Sequence, residues 1–336
     1  MKKIQSFKLP LANAHTHAAM VAFRGMAEDM PLQKWLNEYI WPAEKSHVTS
    51  DFVYEKTKEA ILEMRNNGIR VFSDMYFFED RVAEVAKELG MHAVIGEAIL
   101  DFPTPGAKTP EEAFEITEKL LIKYKNDPLI RVAVAPHSIY TVSEENLIKA
   151  RELSEKYNAP VHIHLAETKL ELDECLKKNK MTPVAYLNRL GMLNEKSILA
   201  HCVWVTDDDI RIIGEKKVNV VHCPLSNLKL GSGIAPIAKM LDSKINVCLG
   251  TDGAASSNRL DIWEAGKFAA LIQKGATLDS SKISTQDVVE MMTTNGLKAL
   301  GFSEIDNRKV SDMEKEIERE NYNFLYELNS NEVDFE

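Results

Sequence analysis

Short apolar runs alternate with longer stretches whose apolar residues recur at helical spacing. Residues 49–67 read as a helix, with Phe52, Ile61, Leu62 and Met64 at helical positions and Asn67-Gly68 as its stop. A β-branched and aromatic run, 69–76, follows as a strand. Helix 81–89 ends at Gly90, and 92–100 reads as a buried strand. Thr109-Pro110-Glu111-Glu112 opens the next helix, with an N-cap, a proline at N1 and an acidic third position. Strand 130–135, helix 143–157, strand 161–165 and a long helical region over 169–190 continue the alternation. Strand 197–203, helix 207–216, strand 218–222, helix 234–241, strand 245–250 and helix 284–300 complete it. With an opening strand at 9–14 there are eight short apolar strands. Continuous apolar strands of this kind belong to a parallel sheet covered on both faces. Eight strand–helix units predict an α/β fold of the (β/α)8 TIM-barrel type over residues 1–302.

Residues 303–336 differ and read as a C-terminal helical tail packed on the barrel. Ser311-Asp312-Met313-Glu314 has the form of a capping box, and Met313, Ile317, Phe324 and Leu328 suggest a helical stripe.

Composition removes several function classes. The chain has 336 residues, 45% of them hydrophobic, and a net charge of −10. With no basic stripe, a nucleic-acid surface is not expected. No apolar run approaches a membrane span, and the N-terminus has two lysines but no apolar segment of a signal peptide. Cys175, Cys202, Cys223 and Cys248 show no C-x-x-C spacing and read as reduced, buried thiols of a cytoplasmic protein. Cys202 and Cys223 each neighbour a histidine, but adjacent strand residues point to opposite faces, so neither pair is expected to share an ion.

The candidate chemistry starts at Asn13-Ala14-His15-Thr16-His17. On a strand, the i, i+2 spacing turns both imidazoles to one face, a half-site for a divalent metal; a pair of packed or surface histidines is the plain alternative. The ends of the other strands change the balance. His137 follows strand four, His162 and His164 lie on strand five with Glu167 just beyond, and His201, His222 and Thr251-Asp252 end strands six, seven and eight. Seven of the nine histidines thus fall at one rim, where barrels carry their chemistry.

These residues resemble the amidohydrolase superfamily. More narrowly, Asn13 to Met20, Trp41-Pro42-Ala43-Glu44, His164-Leu165-Ala166-Glu167-Thr168, Ser226-Asn227-Leu228-Lys229-Leu230 and Thr251 to Ser256 resemble its 5′-methylthioadenosine/S-adenosylhomocysteine deaminases, over about residues 9–302. The resemblance implies one divalent metal, Zn2+ or else Fe2+, held by His15, His17, His164 and Asp252 with His201 close by. Such an ion lowers the pKa of a bound water toward neutrality. Two-metal relatives often place a lysine after strand four; Ala135-Pro136-His137 stands there, which implies a mononuclear site. By the same resemblance Glu167 shuttles a proton from water to N1 of an adenine, His201 and Asp252 orient the attacking group at C6, and ammonia leaves. Glu44 is implied at the ribose hydroxyls, and His137 and Ser256 at the substrate.

The implied activity is hydrolytic deamination of a small adenosine-type nucleoside: methylthioadenosine, S-adenosylhomocysteine or adenosine. Alternatives are a guanine, cytosine, aminodeoxyfutalosine or triazine-type substrate, or a non-catalytic barrel scaffold. Assembly as a homo-oligomer stays open. Several residues keep two readings. His162 is a packing residue or a support behind the ligands, His222 structural or functional, and Glu44 a substrate contact or a solvated helix carboxylate. Met20, Trp35 and Trp41 belong to pocket or core, and Asp207-Asp208-Asp209 complements a helix dipole or binds Ca2+. The flanking β-sandwich usual in the family is expected to be missing or much reduced.

Overall fold

The apolar run that leads into the first histidine pair is a strand, β1 (Leu11–Thr16), buried at every position. In the computed structural model, which describes residues 5–335, it pairs in parallel with β2 (Ile69–Tyr76), and β2 pairs in parallel with β3 (His92–Ile99). β4 is broken into Ile130–Val132 and Ala135–Pro136, both parallel to β3. β5 (His162–Leu165), β6 (Ile198–His201), β7 (Asn219–His222) and β8 (Asn246–Leu249) form a second parallel run in sequence order.

The two runs meet at both ends. Val134 bridges to Val161 and Ser138 to His164, which joins β4 to β5. At the other edge the Asp252 amide donates to the His15 carbonyl at 3.0 Å. The Asn13 side chain accepts from the Thr251 amide at 2.9 Å and donates to the Thr251 hydroxyl at 2.7 Å. The result is an α/β arrangement of parallel strands in TIM-barrel-like order, with helices between them. Gly250 makes the last junction close: a Cβ there would lie 2.9 Å from the Cβ and carbonyl oxygen of His15.

Helix ends follow local chemistry. Thr49 caps Ser50–Asn66 by accepting from the Phe52 amide, and Thr109 caps Pro110–Lys123 from Glu112. Thr206 and Asp209 form a reciprocal box at the start of Asp207–Glu215, so the acidic triplet serves a helix N-terminus.

Four expectations need correction. The region 169–190 is two helices, Lys169–Asn179 and Pro183–Arg189, because Lys180 turns left-handed (φ +58°) and Thr182-Pro183 starts afresh. The region 284–300 likewise divides into Thr285–Met292 and Thr294–Ala299 at Thr293. A sixteen-residue helix, Ile262–Thr277, was not anticipated. The tail is only partly helical. Val310–Ile317 buries Met313 and Ile317, but Ser311 lies inside this helix, whose N-cap Lys309 makes no side-chain cap. Phe324 falls in a 3-10 turn, and Val333–Phe335 forms a strand parallel to Gln5–Phe7. Among the described residues no helix is long and apolar enough to cross a membrane.

Candidate active site

β1 delivers the first two side chains. The rings of His15 and His17 stand 4.9 Å apart, edge to face. His164 on β5 brings its Nε2 to 3.3 Å from Nε2 of His17. Asp252, just beyond β8, places Oδ1 3.2 Å from Nε2 of His17 and 3.7 Å from Nε2 of His15. Donor atoms of His15, His17 and Asp252 lie within 4.8 Å of one another, as do those of His15, His164 and His201.

The outer nitrogens explain the inward orientation. Nδ1 of His17 donates to the Met75 carbonyl at 2.5 Å, and Nδ1 of His164 to the His137 carbonyl at 2.8 Å. A carbonyl only accepts, so each Nδ1 carries a proton and each Nε2 is turned to the centre. His15 Nδ1 meets His162 Nε2 at 3.0 Å, and His162 in turn meets the Ser73 hydroxyl at 3.2 Å. His162 is therefore a support behind His15. The inner nitrogen of His15 is fully buried with no hydrogen-bond partner. An orphaned imidazole nitrogen facing two more imidazoles and a carboxylate suits a divalent cation such as zinc.

Electrostatics divide this donor set into two neutral imidazoles and one imidazole paired with a carboxylate. Burial, reinforced by the charge of neighbouring histidines, holds His15 and His164 well below the usual histidine pKa. Burial acts the same way on His17, but the hydrogen bond and charge of Asp252 outweigh it and raise His17 to about 9. Burial would raise Asp252, yet His17 and the surrounding imidazoles keep it well below the carboxylate range.

Glu167 lies in the turn after β5, 4% exposed. Burial raises its pKa, with a partly opposing contribution from His201. Its Oε2 is 3.8 Å from Nε2 of His201, and its Oε1 accepts from Ser232 at 3.4 Å. The turn is clamped from below: Glu171 accepts the amides of Ala166 at 2.9 Å and Glu167 at 2.8 Å. Strain gathers here. Ala166 (φ +51°), His201 (+76°), Cys202 (+46°) and Asp252 (+61°) are all left-handed, a conformation L-residues adopt only when their surroundings impose it.

A cleft of about 640 Å3, counted to its open mouth, spreads over this cluster. Glu44, His137 and Ser256 all line it, as do Met20, Trp35 and Trp41. Glu44 is buried, not a solvated carboxylate, and burial pushes it to about 7. His137 is lowered to about 3 by burial and holds the Thr141 hydroxyl at 3.0 Å. His222 stands apart: it is buried, lies outside the cleft lining, and neither ring nitrogen has a hydrogen-bond partner. All four cysteines are free and buried. Glu171, Ser232 and the Met75 carbonyl had no assigned role in the sequence. Glu171 carried one signal, its place at the third position of a helix capped by Thr168.

Comparison with known proteins follows the same lines. A model described as the amidohydrolase family matches residues 10–306. A 5-methylthioadenosine/S-adenosylhomocysteine deaminase of Thermodesulfovibrio yellowstonii is 47% identical over 289 residues, covering 86% of this chain and 66% of that protein. A 5'-deoxyadenosine deaminase of Methanothrix thermoacetophila is 45% identical over 87% of this chain and 69% of that one. The chain thus spans about two thirds of the length of these relatives. Among solved structures, an adenosine deaminase from Xanthomonas campestris with bound zinc superimposes with a TM-score of 0.86 at 38% identity, over 88% of this chain and 67% of that one. A guanine deaminase from C. acetobutylicum, at 23% identity, shares the fold with a TM-score of 0.83 over 97% of this chain and 84% of that one.

Proposed function

The chain belongs to the amidohydrolase family, and from that premise we propose that it is a metal-dependent aminohydrolase that deaminates adenosine-type nucleosides. The substrates are methylthioadenosine, S-adenosylhomocysteine or adenosine, and the products an inosine-type nucleoside and ammonia. One observation carries the reading: three imidazoles and a carboxylate converge beside the buried Glu167 on the floor of a cleft. The relatives' names, and the zinc in the adenosine deaminase structure, support it.

In this reading His15, His17, His164 and Asp252 hold one divalent ion, Zn2+ or Fe2+. Bound there, it would supply Lewis-acid activation of a water at neutral pH. Glu167 takes a proton from that water and returns it to N1 of the purine, a task suited to a carboxyl whose pKa is raised toward the working pH. His201 and Asp252 orient the water toward C6. Glu44 holds the ribose hydroxyls, and His137 and Ser256 contact the rest of the nucleoside. The parallel strands close as a (β/α)8 barrel over residues 1–302, with 303–336 as a separate tail packed on it. The free, buried thiols fit a cytoplasmic setting.

The test is the ultraviolet spectrum of methylthioadenosine incubated with zinc-loaded protein. The expected outcome is conversion from an adenine-like to a hypoxanthine-like spectrum. No change with a full equivalent of zinc bound would overturn adenosine-type deamination and direct the search to guanine or triazine substrates.

A further inference from the structure

Ser226 and Asn227 lie on a six-residue helix, Pro224–Lys229, that starts one residue after β7. Neither carries an expected role, yet their side chains are 0% and 1% exposed. We infer that they are positioning residues that together fix the Asp252 carboxylate and the tautomer of His201, an inference that deepens the deaminase reading and rests on the places it gives those two groups.

The Ser226 hydroxyl donates to Oδ2 of Asp252 at 2.6 Å. The other oxygen, Oδ1, accepts from the Gly253 amide at 2.7 Å and faces His17 and His15. The carboxylate is therefore held at both oxygens, by Ser226 at Oδ2 and by the Gly253 amide at Oδ1, and turns Oδ1 to the centre. One residue on, Oδ1 of Asn227 accepts from Nδ1 of His201 at 2.8 Å. An amide oxygen only accepts, so the His201 proton sits on Nδ1 and the Nε2 lone pair faces the centre, 3.8 Å from Glu167. Successive helical residues diverge by about 100°, which lets neighbours in sequence reach β6 on one side and the end of β8 on the other. The Asn227 carbonyl also accepts the Ser232 amide at 2.8 Å and so places the hydroxyl that donates to Glu167. One short helix thereby positions three groups from three different strand ends.

The inference is tested by long-range 1H–15N spectra of protein labelled at histidine nitrogen, ion-free and zinc-loaded, with His201 assigned from the signal lost in His201→Asn. The expected result is an Nδ1–H tautomer in the parent protein. It should be kept in Asn227→Asp, which still offers an acceptor, and lost in Asn227→Leu. Partners of this type are typically worth roughly 10- to 100-fold, so Asn227→Leu should lose that much kcat with KM little changed, and Ser226→Ala that much zinc affinity. An Nε2–H tautomer in the parent protein, the consequence of the opposite amide orientation, would overturn the inference. So would an Asn227→Leu protein whose His201 spectrum matches the parent. Should the leucine variant fail to fold, the parent and Asn227→Asp spectra decide. A parent protein that deaminates no nucleoside would defeat the deaminase reading and leave the tautomer result standing on its own.

Discussion

Glu167 and His17 are close in space but separable in consequence. Glu167 touches the centre only through His201, at 3.8 Å, whereas His17 shares its Nε2 contacts with both His164 and Asp252. Glu167→Gln should therefore keep a full equivalent of zinc and lose turnover by roughly 10²- to 10⁴-fold, the usual worth of a positioned acid–base group. His17→Ala should lose the metal itself, as read by elemental analysis after dialysis. Retained turnover in the first, or undiminished zinc in the second, would remove the residue from its role. That histidines and an aspartate gather at one rim was legible from strand ends in the sequence, while the choice of His15, His17, His164 and Asp252 among them came from the family resemblance. Their partners were not. The Met75 and His137 carbonyls that orient two of the imidazoles carry no side-chain signature, and Asn227 meets His201 across 26 positions of chain.

Strands were easier to read than helix boundaries, because a buried parallel strand is apolar at nearly every position. β1 and β6 appear almost where their composition puts them. The break near Lys180 was signalled by Thr182-Pro183, an N-cap followed by a proline at N1, whereas the break at Thr293 depends on a backbone conformation that no periodicity reports. The helix Ile262–Thr277 hid for another reason. Phe268 and Leu271 remain exposed while Trp263, Ala269 and Ala270 are buried, so apolar residues appear on both faces and the helical period is blurred. Packing between strands gives a prediction of its own. At Gly250 an added Cβ would lie 2.9 Å from both His15 and the Val221 side chain, closer than such atoms pack. Gly250→Ala should displace the start of the site, lowering stability by about 1–3 kcal/mol and weakening zinc binding. Unchanged thermal midpoint and zinc affinity would show that the strand end moves freely.

The interior as a whole holds more acid than its surface suggests. Burial lifts Glu44 and Glu97 to about 7 and Glu171 to about 8 from an ordinary value of 4.5. Between the unfolded and folded values the native state binds these protons more tightly than the unfolded chain, so the contribution of these carboxyls to stability falls as pH rises through that window. As an upper scale this corresponds to about 3 kcal/mol each for Glu44 and Glu97 and about 5 kcal/mol for Glu171. His17 adds to the trend: its raised pKa contributes stability that is complete below 6.5 and lost as pH approaches 9. Above about pH 7 the buried histidines with lowered pKa are neutral in both states, so the urea midpoint of ion-free protein should be lower at about pH 9 than at about pH 7. Equal midpoints would mean that these carboxyls are hydrated in solution.

The Asn13–Thr251 junction has a consequence in time. Its two partners are 238 positions apart, and the same few residues that fasten β1 to the end of β8 also present His15 and Asp252 to one another. A growing chain carries His15 and His17 long before Asp252, and it cannot assemble the donor set until residue 252 has been made. Chains that stop short of residue 252 lack both the Asp252 carboxylate and the junction that brings it to His15. On the deaminase reading, activity would appear no earlier than this last junction.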